Sequence, residues 1–244
     1  MDATGHVVDA SYSSLHEQDC SIQQGGAEQL ASGWGNVTQV FAEPFSRTNS
    51  TATVVAINAN GEMTAYGLTH GPSGLTLSTG TVIGSGWTGF KHVTYAGDGV
   101  FFAVASDGNL LWYRDLDVAG RTADWADGGI GHVIGTGWQN FPLVFAGAGA
   151  IYASTDNGDL LWYGYWDWES DSGAWSPGSG SVVGTGWDTV AAATADHGEV
   201  DGHILIHTVD KNGNVHFYDH FDAYTGSPEW SSNSGVVVLN GWAG

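Results

Sequence analysis

The sequence predicts an all-β fold built from repeated sheets, and three observations support this prediction. The pair Gly-Trp recurs with its tryptophan at positions 34, 87, 138, 187 and 242, at spacings of 53, 51, 49 and 55 residues. Apolar residues nowhere recur with the 3.6-residue period of a helix. The chain is also interrupted by 38 glycines. Repeats of this length are typical of radial or stacked arrays of small sheets.

Each repeat offers four short strands. In the second repeat they are residues 92–96, Val100–Ala105, Leu110–Arg114 and His132–Gly135. Asp107-Gly108 separates the second strand from the third, and glycine supplies the positive φ that tight hairpin turns require. The corresponding turns of the other repeats are Asn60-Gly61, Asn157-Gly158 and Asn212-Gly213.

The strands are apolar at consecutive positions, as in residues 110–113, and do not alternate. Such a strand is buried on both faces of its sheet. A β-propeller of four-stranded antiparallel blades is the simplest arrangement that places each sheet between two similar sheets. We therefore expect residues 1–244 to form a single β-propeller domain, with repeats at about 35–87, 88–138, 139–187 and 188–242.

The first 34 residues predict a partial repeat. By their distance from Trp34, residues 6–9 correspond to residues 110–113, and residues 27–31 correspond to a fourth strand. This segment would therefore supply two outer strands without inner partners. We favour five blades, one of them degenerate and closed by the N-terminus, with a four-bladed ring as the alternative.

The charge balance excludes some partners. The chain has 26 acidic and 5 basic residues, a net charge of −21. Nucleic acids and anionic membranes need clustered Lys and Arg, so neither is an expected partner. No apolar run approaches the ~20 residues of a membrane-spanning helix, so membrane insertion is not expected either.

The cysteine content and the N-terminal sequence bear on where in or outside the cell the protein is expected. Cys20 is the only cysteine, so an internal disulfide is excluded. No charged and apolar signal segment is visible at the N-terminus. We expect a cytoplasmic protein or one exported without a visible signal peptide, and a secreted mature form stays open.

Aromatic residues in polar surroundings point to sugar binding, because the C–H face of a sugar stacks on an aromatic ring. Trp125, Trp175 and Trp230 lie in Gly/Ser-rich connections between the third and fourth strands. The sequence favours neither sugar contact nor packing against a neighbouring blade for these three.

Other residues of the repeat are weaker candidates. The Gly-Trp tryptophans are expected first as wedges between blades and second as pocket walls, whereas Trp112 and Trp162 are expected in the core. The remaining candidate ligand-binding residues are Trp87, Trp138, Trp187, Tyr113, Tyr163, Tyr218, Arg114, Asp107 and Asn157.

The repeat pattern G-W-x2-F-x2-V-F-A-G-x-G-x-I-Y-A-x3-D-G-x-L-L-W-Y, closed by V-I-G-x-G-W, resembles the tachylectin-2 family of β-propeller lectins. The match covers residues 33–242 and is best over 86–187. The resemblance implies a multivalent lectin with one pocket between each pair of blades, selective for N-acetylated sugars such as N-acetylglucosamine or N-acetylgalactosamine. The first and fourth repeats depart from the pattern at Ala65 and Phe217, so their pockets are expected to be weak or lost.

The last repeat contains a group of histidines around the turn 210–213. A four-residue loop would pair His207 with His216 and His203 with His220 on one side of the sheet. That arrangement would form a weak candidate metal or pH-sensing site. A three-residue loop would separate the members of each pair.

Enzyme motifs are absent: the sequence has no G-x-S-x-G, H-E-x-x-H or P-loop. Asp167 and Glu169 could be read as a glycosidase pair, but acidic residues are abundant in this chain and coincidence explains them better. We therefore predict a non-enzymatic glycan-binding protein that needs no cofactor and could form a homo-oligomer. A protein-interaction propeller and an enzyme using the central channel remain alternatives.

Overall fold

A computed structural model describes residues 7–13, 23–32, 34–42, 51–72, 74–171, 173–196 and 202–240. Cys20, His197 and Trp242 lie outside these residues, as do residues 43–50. Among the residues described, no helix has the length and apolar character needed to cross a bilayer.

The first two strands form an antiparallel hairpin of their own, and four antiparallel sheets follow it as the blades of a four-bladed β-propeller. The hairpin consists of β1 (Val7–Ser13) and β2 (Gln23–Ala31). Blade 1 contains β3 (Val37–Ala42), β4 (Thr51–Asn58), β5 (Met63–Gly71), β6 (Gly74–Leu77) and β7 (Thr81–Gly84). Blade 2 contains β8 (Phe90–Gly97), β9 (Val100–Ala105), β10 (Leu110–Arg114) and β11 (His132–Gly135).

The third and fourth blades repeat this order. Blade 3 contains β12 (Val144–Gly147), β13 (Ala150–Ser154), β14 (Leu160–Gly164) and β15 (Ser181–Gly184). Blade 4 contains β16 (Val190–Ala195), β17 (Ile204–Asp210), β18 (Val215–Phe221), β19 (Glu229–Trp230) and β20 (Val236–Leu239). Short 3-10 turns lie at Trp87–Gly89, Trp138–Asn140 and Trp187–Thr189, and Ala126–Gly129 forms a turn in which Asp127 and Gly128 have positive φ.

The four-bladed form matches the alternative in our prediction. The β1–β2 hairpin has the two outer strands predicted for the partial repeat, and β2 lies against β6 of blade 1. A fifth blade would need inner strands beside this hairpin. Five blades therefore stay a prediction.

The core lies between the blades. β12 contacts both β8 and β16, so the first strands of consecutive blades adjoin at the centre. One apolar cluster fills each interface, which we call seam 1 between blades 1 and 2, seam 2 between blades 2 and 3, and seam 3 between blades 3 and 4. Successive residues of β9, from Val100 to Val104, are all buried, so this strand is covered on both faces. In β10, for which the sequence predicted the same, Leu110 and Trp112 are buried and Leu111 and Tyr113 are only partly buried, so the prediction is confirmed there in part.

Candidate functional site

The Gly-Trp segments join one blade to the next. In seam 1 the backbone N–H of Trp87 donates to the carbonyl of Gly61, in the turn of blade 1, over 3.1 Å. In the same way, the backbone N–H of Trp138 donates to the Gly108 carbonyl over 3.0 Å, and that of Trp187 donates to the Gly158 carbonyl over 2.9 Å. Each Gly-Trp tryptophan is therefore fixed against the preceding blade, as expected for a wedge.

Three aromatic rings meet in seam 1. The ring centroid of Trp87 lies 5.1 Å from that of Tyr113 and 5.6 Å from that of Trp125. The indole N–H of Trp125 donates to the backbone carbonyl of Ile83, in the last strand of blade 1. We call this set, a Gly-Trp tryptophan, a third-strand tyrosine and a connection tryptophan, the aromatic triad.

The triad recurs in the other two seams. In seam 2, Trp138 lies 4.7 Å from Tyr163 and 6.0 Å from Trp175. Trp175 donates its indole N–H to the Ile134 carbonyl over 3.0 Å. In seam 3 the ring centroid of Trp187 lies 5.0 Å from that of Tyr218 and 6.2 Å from that of Trp230. The indole N–H of Trp230 donates to the Val183 carbonyl over 2.7 Å.

The connection tryptophans thus contact the preceding blade and are only partly buried. Packing against a neighbouring blade, one of the two roles that the sequence left open for these tryptophans, is therefore observed. Sugar contact stays open as well, because in seam 1 the ring of Trp125 also lines a cavity.

That cavity, the seam cavity, has a volume of about 330 Å³. Trp87, Phe90, Tyr113 and Trp125 form its aromatic walls, and the rest of its lining is mostly glycine. A Cβ on Gly84 would lie 2.9 Å from Nε1 of Trp87 and 3.4 Å from the ring of Trp125. The glycine therefore keeps the edges of both rings uncovered.

The tyrosines of the triads are neutral at physiological pH. Burial raises the pKa of Tyr113, Tyr163 and Tyr218 above the usual value of a phenol. Each hydroxyl therefore keeps its proton and can both donate and accept a hydrogen bond.

Blade 1 departs from the pattern. Trp34 packs on Tyr66 with ring centroids 4.6 Å apart, but the position of the connection tryptophan is taken by Leu77. Leu77 pairs with Leu68, as Trp125 pairs with Asp115 in blade 2. The sequence predicted a weak or lost pocket at the first repeat because of Ala65. Leu77 in place of the connection tryptophan is a second reason to expect this. In blade 4, by contrast, Phe217 leaves the triad complete.

The predicted polar residues do not join the seam cavity. Asp107 and Asn157 are exposed in the turns between second and third strands, and Asp107 accepts hydrogen bonds from the backbone and side-chain nitrogens of Asn109 at 3.0 and 2.8 Å. Arg114 reaches the next blade, where its guanidinium donates to the Glu169 carbonyl.

Arg114 instead lines a larger cavity of about 590 Å³, which we call the loop cavity. It surrounds the start of the connection that leaves β14, with Tyr165, Trp166 and Trp168, and reaches Tyr224 of blade 4. The sequence analysis did not predict this cavity. Its only signal was the aromatic and acidic segment around Asp167 and Glu169, which was interpreted as coincidence.

The predicted histidine pairing is wrong. β17 and β18 are joined by a three-residue loop, so His207 pairs with Phe217 and His216 with Thr208. The cause is Asp210, whose carboxylate accepts hydrogen bonds from the backbone N–H groups of Asn212 and Asn214 and closes the shorter turn. His203 and His207 therefore lie on one face of the sheet, while His216 and His220 lie on the other.

These histidines have separate partners. His203 contacts Asp219 at 3.0 Å and His216 contacts Asp210 at 3.2 Å. His220 is buried between the hydroxyl of Tyr152 and the carbonyl of Ser227. Across the described residues no three His, Cys, Asp or Glu side chains are grouped to hold a metal ion.

Comparison with known proteins gives one family match. A sequence model of the tachylectin family matches residues 2–244. A search of curated proteins found no match.

Several solved structures are similar in fold. A variant of the Aleuria aurantia lectin in complex with Fucalpha1-6GlcNAc has 16% identity and a TM-score of 0.44, over 98% of this chain and 73% of that one. The BP39L lectin from Burkholderia pseudomallei has 14% identity and a TM-score of 0.44, over 88% of this chain. The arabinofuranosidase PaAbf62A from Podospora anserina has 15% identity and a TM-score of 0.49, over 85% and 70% of the two chains. The chain spans only 65% of the SapL1 lectin chain and 60% of the BP39L chain.

Proposed function

The chain belongs to the tachylectin family, and from that premise we propose that it is a multivalent lectin with its sugar sites in the seams between adjacent blades. The proposed ligands are N-acetylated sugars such as N-acetylglucosamine and N-acetylgalactosamine. They are bound without chemical change and without a cofactor.

The observation that carries this proposal is the aromatic triad, repeated in three seams. Trp125, which is only partly buried and lines the seam cavity, offers ring surface on which the C–H face of a pyranose can stack. The neighbouring tyrosine hydroxyl can orient a sugar hydroxyl, because it both donates and accepts.

The glycine-rich lining supports the preference for an acetamido group. Gly84, Gly86, Gly128 and Gly129 line the seam cavity and leave its backbone without covering side chains. Backbone N–H and C=O groups match the C=O and N–H of an acetamido substituent, and its methyl group can rest on an indole ring.

Repetition would compensate for weak individual sites. A monosaccharide buries little surface, so each seam should bind it weakly. Sites on one rigid ring raise the avidity for clustered glycans by about 10²–10⁴.

A glycan array followed by isothermal titration with N-acetylglucosamine tests the proposal. We expect three similar sites, one for each complete triad. Trp175→Ala should remove one of them. The matched control is Leu77→Ala, at the same place in blade 1, which should leave the number of sites unchanged. Absence of saccharide binding across the array would overturn the proposal, and binding of fucosides alone would overturn the N-acetyl preference.

A further inference from the structure

The loop cavity is separate from the seam cavity, because the two cavities are lined by different residues. It lies where the connection after β14 passes between blade 2, which contributes Asp98 and Arg114, and blade 4, which contributes Tyr224. Its volume of about 590 Å³ is within the range of small-molecule sites in proteins.

The cavity adjoins a position where seams 2 and 3 differ. The distance from the third strand to the connection tryptophan is the same in blades 2, 3 and 4, namely 13 residues (112 to 125, 162 to 175 and 217 to 230). In seam 2 this connection places Trp168 on blade 2, and the Trp168 carbonyl accepts the indole N–H of Trp112 over 2.6 Å. In seam 3 the corresponding residue is Ala223, so less side chain covers blade 3.

The indole donor of blade 3 also differs from that of blade 2. Trp162 occupies in blade 3 the position that Trp112 has in blade 2, is fully buried, and its ring lines the loop cavity. Its Nε1 finds no acceptor among the described residues and is itself buried, so a ligand in the cavity does not reach it. A buried donor without a partner costs free energy.

The walls of the cavity are aromatic and acidic. Trp166 and Tyr224 are 51% and 39% exposed, which is unusual for large aromatic side chains. Three carboxylates, Asp98, Asp167 and Glu169, line the cavity with one guanidinium. That guanidinium, of Arg114, already donates to the Glu169 carbonyl. The lining is therefore net negative, in a chain of net charge −21.

We propose that the loop cavity is a second binding site, one per chain, for a saccharide that carries a free amino group. Such a sugar meets each feature of the lining. Its ammonium group pairs with the carboxylates and lies near aromatic faces, its C–H face stacks on Trp166, and its ring hydroxyls donate hydrogen bonds to the carboxylate oxygens that the ammonium leaves free.

Other ligands satisfy only part of this set. A lysine side chain or a choline headgroup supplies the cation but no ring hydroxyls beside it. A neutral N-acetylated sugar supplies the hydroxyls but leaves the excess of carboxylates over the single guanidinium uncompensated. An acidic sugar is repelled.

The test compares oligomers of glucosamine with oligomers of N-acetylglucosamine, by titration calorimetry on the whole chain. We expect the glucosamine oligomer to bind at one site that weakens when salt is raised from about 0.05 M to about 0.5 M. Trp166→Ala should weaken this binding about tenfold. Asp167→Asn should weaken it about threefold, and it preserves the backbone because Asn also tolerates the φ of 51° at this position.

Leu116→Ala is the matched control, because Leu116 holds the same place in blade 2 and is 58% exposed. It should leave the affinity for glucosamine oligomers unchanged. Trp166→Ala should in turn leave N-acetylglucosamine binding in the seams unchanged, so failure of this site can be told apart from failure of the lectin proposal. Equal affinity of Trp166→Ala and the unaltered chain would overturn the inference, as would equally tight binding of choline or a lysine peptide.

Discussion

Trp112 and Trp162 occupy equivalent positions in adjacent blades and allow one prediction to be worked out in detail. Both are buried, with 4% and 0% of their surface exposed. Trp112→Phe removes a hydrogen bond to the Trp168 carbonyl, which costs about 0.5–1.5 kcal/mol. Trp162→Phe removes a donor that has no acceptor among the described residues, which relieves about 1–3 kcal/mol.

The loss of ring volume is common to both variants and cancels in the comparison. The free energy of unfolding of Trp112→Phe should therefore be lower than that of Trp162→Phe by about 1.5–4.5 kcal/mol. Guanidinium denaturation measures the difference directly, and thermal melting should separate the two variants by about 3 °C or more. Equal stabilities, or a lower stability of Trp162→Phe, would refute this description of the loop cavity.

Two further predictions concern the core and the blade junctions. Burial lowers the pKa of His220, and also of His92 and His207, so the folded state binds fewer protons than the unfolded chain. The unfolding free energy should fall as the pH is lowered through the unfolded-state histidine pKa of about 6.5. His220→Gln should make the unfolding free energy depend less on pH, as measured by denaturation series at several pH values. An unchanged pH dependence in this variant would contradict the prediction. Gly61→Ala should destabilise the fold by more than about 2 kcal/mol, because Gly61 has a φ of 74° and a Cβ there would lie 2.6 Å from the backbone nitrogen of Thr88. Gly35→Ala, with open space around its Cβ, should change the melting temperature little, and similar losses for both would count against the junction geometry.

Much of the architecture could be predicted from the sequence because the interactions that define it are local. Asp107-Gly108 forms the hairpin turn between β9 and β10, and the predicted limits of β9, β10 and β11 are those observed. Consecutive apolar residues correctly indicated cover on both faces for β9 and β13, and in part for β10. The closing of the ring is a long-range property, so the spacing of tryptophans could not distinguish four blades from five.

Details that depend on one side chain or on a missing one were harder to predict. The register of β17 and β18 is set by the carboxylate of Asp210, which shortens the loop by one residue relative to our expectation. The loop cavity adjoins a small residue, Ala223, in the position where the preceding connection has Trp168. Leu77 was overlooked because its connection is shorter than the others, and only strand pairing reveals its equivalence to the connection tryptophans.

The backbone bond from each Gly-Trp segment to the turn before it also bears on how such a chain can change through recombination. The three junctions of this kind that the structure describes each join a blade to its immediate predecessor through the same pair of main-chain atoms. A whole repeat could thus be gained or lost by recombination, and the new neighbours would form the same backbone hydrogen bond. Every amino acid except proline supplies these two atoms, so side chains lining a binding surface can diverge while the junction persists.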